Sequence, residues 1–217
     1  MINHEEDRIA ASMCRDKLSF FVREFWHLVS AEELEWEPHL DVLCDEVQEV
    51  YERTFLREID EEDDKGNKKK VRLKKDHDLI INVPPGASKS TIITIMAPAW
   101  SWTRDNTLRH ITGSYSYDLS TEHAVKSRDI IDSDLYMRYF PNAVERKADK
   151  WLKTNYENTA GGQRVATSVG GTITGMHAHV ITIDDPINPK LVASPAACEE
   201  TNNWLDKTLS TRRSIRL

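Results

Sequence analysis

The sequence predicts an α/β protein: a three-layer α/β/α core around a mostly parallel central sheet, behind an N-terminal helical arm. Three observations carry this. Asp78-Leu79-Ile80-Ile81-Asn82-Val83 is a short apolar run with β-branched residues and reads as a buried strand. A helical pattern follows it at Ile92, Ile95, Met96 and Ala99. Leu108 to Tyr115 repeats the arrangement, a buried strand with a polar end, followed by a helix over about residues 118–132 with Leu119, Val125, Ile130 and Ile131 as core positions. His179 to Ile183 is a third short hydrophobic strand. Strands alternating with helices lie side by side in one sheet, with the helices on its faces.

The remaining elements follow in chain order. Residues 5–30 carry Leu18, Phe21, Val22, Phe25, Leu28 and Val29 at helical spacing and read as one amphipathic helix. Glu37-Pro38 opens a second, since proline suits a first turn; it turns Leu40, Leu43, Val47, Val50 and Tyr51 inward. Residues 57–78 change character: an acidic block, Gly66-Asn67, then Lys68-Lys69-Lys70 and Lys74-Lys75, which reads as an exposed hairpin or a mobile loop. Residues 133–162 show no regular pattern. Gln163 to Thr174 alternates around Gly170-Gly171, a hairpin signal. Ser194-Pro195 starts a last helix, with serine as N-cap and proline at N1, carrying Trp204, Leu205 and Leu209. The chain divides into residues 1–56 (helical arm), 57–78 (charged hairpin or loop) and 79–217 (core).

Between the first strand and its helix stands Pro84-Pro85-Gly86-Ala87-Ser88-Lys89-Ser90-Thr91. A small-residue loop with Lys-Ser at a helix start is the phosphate cradle of a P-loop NTPase: backbone N–H groups and the helix dipole attract an anion. Lys89 would reach the β/γ-phosphates of ATP and Ser90 would hold Mg²⁺. Pro85, Gly86, Ala87, Ser88 and Thr91 complete the nucleotide-binding loop. In the pattern G-x-x-x-x-G-K-[ST], Val83 and Ser88 stand at the glycine positions. A positive φ at Ser88 would cost roughly 1–2 kcal/mol. Read alone, the stretch also fits an ordinary β–α turn with a solvated lysine.

About a hundred residues later the third strand ends in Asp184-Asp185-Pro186, and the proline stops the strand. In an NTPase the first carboxylate, Asp184, holds Mg²⁺ opposite Ser90, and the second, Asp185, orients and deprotonates the attacking water. The catalytic pair is then Lys89 and Asp185, and the metal pair Ser90 and Asp184. His177 and His179 lie two apart, but no further ligand is spaced to make a zinc site with them. Trp36-Glu37-Pro38-His39 can stack on a base or fill a core.

Bulk properties set limits. With 39% hydrophobic and 30% charged residues, and no apolar run of membrane-spanning length, the chain reads as soluble, with no membrane partner. Cys14, Cys44 and Cys198 are odd in number and far apart, which fits a reducing compartment. A net charge of −7 confines any DNA contact to local patches or to an oligomer.

The order of these pieces resembles the large terminase subunit of tailed bacteriophages, from about Trp36 to Thr211. The resemblance rests on Trp36 to Leu40, Val83-Pro84-Pro85 with Lys89-Ser90, Ala97-Pro98-Ala99-Trp100, Ser114-Tyr115-Ser116, Ser168 to Gly175, Asp184-Asp185-Pro186 and Thr208 to Arg212. It implies a P-loop ATPase of the additional-strand class that drives packaging of double-stranded viral DNA into procapsids. The implied partners are the portal protein, the small terminase subunit and further copies in a ring, usually pentameric, in the host cell cytoplasm. It also implies an adenine pocket around Trp36 and His39. The family's C-terminal nuclease and coupling strand would follow Leu217, so no DNA cleavage is expected of this chain. Two departures stand out. Gly86 and Ser88 replace an arginine and a glycine of many relatives, and Met176 stands where relatives often carry an arginine acting on a neighbour's nucleotide. Arg164, Arg212 and Arg213 are the alternative sources of that cation. Two other functions compete: a helicase-like translocating ATPase, and an inactive scaffold that docks to a portal or small subunit.

Overall fold

The computed structural model describes residues 4–55, 58–62, 68–72 and 78–214, the two short strands within 58–72 by their backbone alone. Three helices open the chain: α1 (His4–Asp16), α2 (Leu18–Phe25) and α3 (Pro38–Thr54). The single helix expected over residues 5–30 is broken at Lys17, which is extended at φ −131°, ψ 124°. Gln48 of α3 bridges the break. Its Oε1 accepts the Leu18 N–H at 2.9 Å and its Nε2 donates to the Asp16 carbonyl at 2.9 Å. Two backbone groups orphaned by the break thus find partners. Pro38 occupies the first turn of α3 as expected.

Strands β1 (Glu58–Glu62) and β2 (Lys68–Arg72) form an antiparallel hairpin, with Glu58 opposite Arg72 and Glu62 opposite Lys68. Lys74 and Lys75 lie outside the described residues.

The rest builds a five-stranded sheet from β3 (Arg109–Ser114), β4 (Arg146–Trp151), β5 (Asn155–Asn158), β6 (Gln163–Ser168) and β7 (Val180–Ile183), in the order β4-β5-β6-β3-β7. β3 runs parallel to both β6 and β7, whereas β4–β5 and β5–β6 are antiparallel. The fold is therefore α/β with a mixed sheet, and the mostly parallel sheet expected from the sequence is corrected. Three further expectations change. Residues 133–162 are not irregular: they form the helix α6 (Asp134–Tyr139) and the strands β4 and β5. Residues 163–174 do not form a hairpin. β6 already pairs with β3 on one side and β5 on the other, so no edge is free for a returning strand, and the chain after Ser168 turns away through Gly170 at φ 77°. Residues 78–83, expected as a buried strand, belong to no strand of the sheet, and Ile80 is 82% exposed.

The two sheet faces carry different cores. One meets α5 (Tyr117–Asp132), α6 and a continuous helix over residues 89–104, with α1–α3 packed outside them. Trp100, Phe21, Phe25, Val47, Ile130 and Tyr136 belong to this single core. The helix over 89–104 is π-helical over Thr91–Met96 and α-helical over Ala97–Arg104; the latter part is α4. Two hydrogen bonds tie this helix to its neighbours: Trp100 Nε1 donates to the Cys14 carbonyl at 3.0 Å, and the Tyr136 hydroxyl donates to Ala99 O at 3.0 Å. The opposite face, with Ile111, Val165 and Ile173, is covered by α7 (Pro195–Trp204) and its continuation to Leu209. Ser194 caps α7 by accepting the Ala197 N–H at 3.4 Å, as its position before Pro195 predicts. Among the described residues no helix is long and apolar enough to cross a membrane.

His110 on β3 is 2% exposed, with Nε2 3.1 Å from Ser101 Oγ. Burial pushes its pKa down from 6.5 to about 3, and the Arg164 charge adds to the effect. On acidification the unfolded chain takes up this proton while the folded chain does not. Stability should therefore fall as pH drops from 6.5 towards about 3. Each such histidine contributes a slope of up to about 1.4 kcal/mol per pH unit. Urea unfolding at several pH values should show a shallower acid loss for His110→Gln than for the parent chain; equal slopes would exclude the buried neutral histidine.

Candidate phosphate-binding site

Three chain segments meet at one end of the sheet. The first is the loop over residues 84–90. Its turn closes through Ala87 N–H donating to Pro84 O at 3.3 Å, and the helix starts with Ile92 N–H donating to Ser88 O at 3.0 Å. Gly86 has φ 86° and Ser88 has φ 57°, so the backbone takes the left-handed conformation there that the sequence pattern reserves for glycine. The cost at Ser88 is roughly 1–2 kcal/mol. The second segment is the end of β7. Asp184 N–H donates to Gly113 O at 2.8 Å, and the Asp184 side chain is buried. The third is the end of β3, where Tyr115 N–H donates to the Asp185 carbonyl at 3.0 Å and holds Asp185 at φ 45°. Among the described residues, Ser88 and Asp185 are the two non-glycines with positive φ, and both sit here. Strained backbone of this kind clusters at functional sites.

Lys89 joins the segments. Its Nζ lies 2.7 Å from Asp185 Oδ1 and 3.0 Å from Asp184 Oδ1. Burial alone would lower the lysine pKa, but the hydrogen bonds it donates to Asp185 and Asp184, with their charges, outweigh it and raise it. The ammonium therefore stays charged across the physiological range. Ser90, half-buried, follows on the first helical turn. Pro85 and Gly86 are exposed, and Ala87, Ser88 and Thr91 are half-buried.

The structure thus brings Lys89 together with Asp184 and Asp185, with Ser90 next to Lys89 in the chain and Pro85 to Thr91 as the loop. Trp36 and His39 are placed otherwise. The Arg23 guanidinium lies 3.9 Å over the Trp36 ring, and His39 pairs with Glu37 at 3.2 Å. Among the described residues no hydrogen bond, ion pair or ring contact joins either of them to Lys89. A cleft of about 520 Å³ does open beside Lys89 and Asp184. Its walls include the segment Asp78 to Ile81, strand β7, Tyr51 and Thr54 of α3, and Leu209 and Arg213. This volume suits a small molecule. Tyr51 was legible in the sequence only as a core residue, and it reaches this cleft from the last turns of α3.

Of the alternative arginines, Arg164 is 1% exposed and bonded inside the protein, so it has no route to a neighbour's nucleotide. Arg213 pairs with Asp78 at 3.1 Å across the cleft. Met176 packs in the second core. His179 Nδ1 accepts the Arg109 N–H at 3.1 Å, which occupies one of its two ring nitrogens.

The residues fit a hard cation that keeps most of its water. Asp184 Oδ2 is buried without a partner among the described residues, and oxygen donors are what Mg²⁺ takes. Among the described residues no group of three or more His, Cys, Asp or Glu side chains forms a cage. Mg²⁺ bound with a polyphosphate needs only one or two protein oxygens. Comparison with known proteins finds no matching family model, curated protein or solved structure.

Proposed function

We propose that this chain is an ATP hydrolase of the P-loop type, the ATPase part of a DNA-packaging motor like the large terminase subunit. One observation carries the reading: a lysine at a helix start, on a strained small-residue loop, meets both carboxylates at the end of a neighbouring strand. That pairing unites a phosphate-binding group with a metal ligand and a base. Helices on both sheet faces and two parallel pairings beside the site support a three-layer P-loop core.

In this reading the loop amides and Lys89 bind the β- and γ-phosphates of ATP, with Lys89 turning from the carboxylates to the substrate. Ser90 and Asp184 would hold Mg²⁺, which neutralises phosphate charge when bound. Asp185 orients a water in line with the γ-phosphorus and takes its proton. The water oxygen bonds to phosphorus as the bond to the β,γ-bridging oxygen breaks, releasing ADP and phosphate. Double-stranded viral DNA, the portal protein, the small terminase subunit and a ring of copies in the host cytoplasm are the partners this reading entails.

Calorimetric titration with ATP, with and without Mg²⁺, tests the site. Saturable binding that strengthens with Mg²⁺ is expected; absence of binding in both titrations would sink the reading. Translocation in a procapsid assay then separates a packaging motor from another DNA-translocating ATPase.

A further inference from the structure

Arg164, at the second position of β6, is buried more deeply than an unpaired arginine normally is. It is 1% exposed, and its Nε and Nη1 have no partner among the described residues. Its short hydrogen bond runs from Nη2 to the Thr94 carbonyl at 2.6 Å, with Thr112 Oγ1 farther away at 3.4 Å. Burying a guanidinium so incompletely satisfied opposes folding. Its closest partner is the Thr94 carbonyl.

Thr94 lies in the π-helical stretch Thr91–Met96, and the residue four positions on is Pro98. Proline has no N–H, and its ring crowds the carbonyl of residue i−4. Pro98 therefore withholds the α-helical donor from Thr94 O, and widening the turn relieves the crowding. The wide turn shows in the Ala97 N–H, which reaches back to Ile92 O. Arg164 crosses from the sheet to the carbonyl that Pro98 leaves. Lys89 and Ser90 form the first turn of this same helix, directly before the π-helical stretch.

We infer that Arg164 is a positioning residue for the phosphate site: by supplying the hydrogen bond that Pro98 withholds from Thr94, it ties the helix to the sheet and fixes where Lys89 and Ser90 stand. The structural part of this inference stands on the contacts alone, and its effect on nucleotide rests on the ATP-site reading. The guanidinium charge adds to the effect of burial at a neighbouring histidine. His123, on α5, is held below the ordinary histidine range, first by burial; Asp184 works against that and Arg164 with it. Arg164 thus sits within electrostatic reach of the residues behind Asp184.

The test is a double-mutant cycle between Arg164→Met and Pro98→Ala, with two readouts: amide hydrogen exchange across residues 89–96 and affinity for ATP with Mg²⁺. Arg164→Met should speed exchange in this segment by about tenfold or more and weaken ATP by about 10- to 100-fold, as misplaced catalytic groups do. Pro98→Ala returns an N–H to the helix and should suppress most of both effects, which a generic packing role for Arg164 would not do. Arg164→Lys, which keeps the charge without the planar fork, should fall between the two. Exchange in Arg164→Met equal to the parent chain, or no suppression by Pro98→Ala, would overturn the proposal. If Arg164→Met alone does not fold, the double variant decides: folding supports the tie to Thr94, and failure to fold overturns it. If the parent chain binds no ATP, the function reading falls, and the exchange measurement still decides the role of Arg164.

Discussion

Lys89→Ala is expected to weaken binding of ATP with Mg²⁺ by about 10- to 100-fold, the scale of lost hydrogen bonds between charged groups. Any remaining turnover should drop by about 10²–10³-fold, because the ammonium acts on charge that develops in the transition state. The variant should also be less stable without ligand. Asp184 is 4% exposed, and removing Lys89 takes away its cation. Leaving such a group without its partner costs about 1–3 kcal/mol. Asp185, whose side chain is 58% exposed, can recover its lost contact from water, so its limb contributes little to that loss. Calorimetry and thermal melting on the same sample separate the two effects. Unchanged affinity and unchanged turnover would remove Lys89 from any phosphate site.

Asp185→Asn should hold ATP with Mg²⁺ at near-parent affinity while losing about 10²–10⁴-fold in turnover, the usual contribution of a general base. The backbone makes this an unusually clean substitution. Asp185 stands at φ 45°, a conformation asparagine also tolerates, and its carbonyl keeps the Tyr115 N–H. The side-chain charge is then the main thing removed. Asp184→Asn should instead reduce the dependence of binding on Mg²⁺, since under the proposed function its carboxylate, with one oxygen left without a partner, would hold the metal. If Asp184→Asn stops chemistry while Asp185→Asn proceeds at parent rates, the two roles are exchanged.

The legible parts of the sequence were those whose signal is local. Pro38 and Ser194-Pro195 announce helix starts because capping depends on a few neighbouring residues, and both helices begin there. β7 is a short apolar run at one edge of the sheet and β3 is a buried central strand with a polar end, and the structure places both as strands. The Lys89 loop and the Asp184-Asp185 pair stood out in the sequence for the same reason, and Ser88, at a glycine position of the pattern, does take a positive φ. What failed depends on distant partners. β4, Arg146-Lys147-Ala148-Asp149-Lys150-Trp151, has four charged residues in six and is an edge strand whose residues are all exposed or half-buried, so the hydrophobic pattern cannot announce it. The Gly170-Gly171 signal pointed to a hairpin, but both edges of β6 were already taken. The break at Lys17 is stabilised by Gln48, thirty residues away in sequence. Arg164 appeared as one more arginine, since nothing in its neighbourhood says that Pro98 has left a carbonyl for it.

The double contact of Lys89 also bears on how ligands would arrive. In the free protein one ammonium already sits against two carboxylates, so the cation position is filled by a part of the chain itself. Magnesium alone must compete with a tethered rival, and nucleotide alone must draw the lysine from two anions to a third. Under the proposed function, Asp184 would be freed for the metal as Lys89 moved to the phosphate, and each exchange would compensate the other. Under the proposed function the site therefore favours the complex over either component, a selectivity set by local charge exchange before any contact with the base or the sugar.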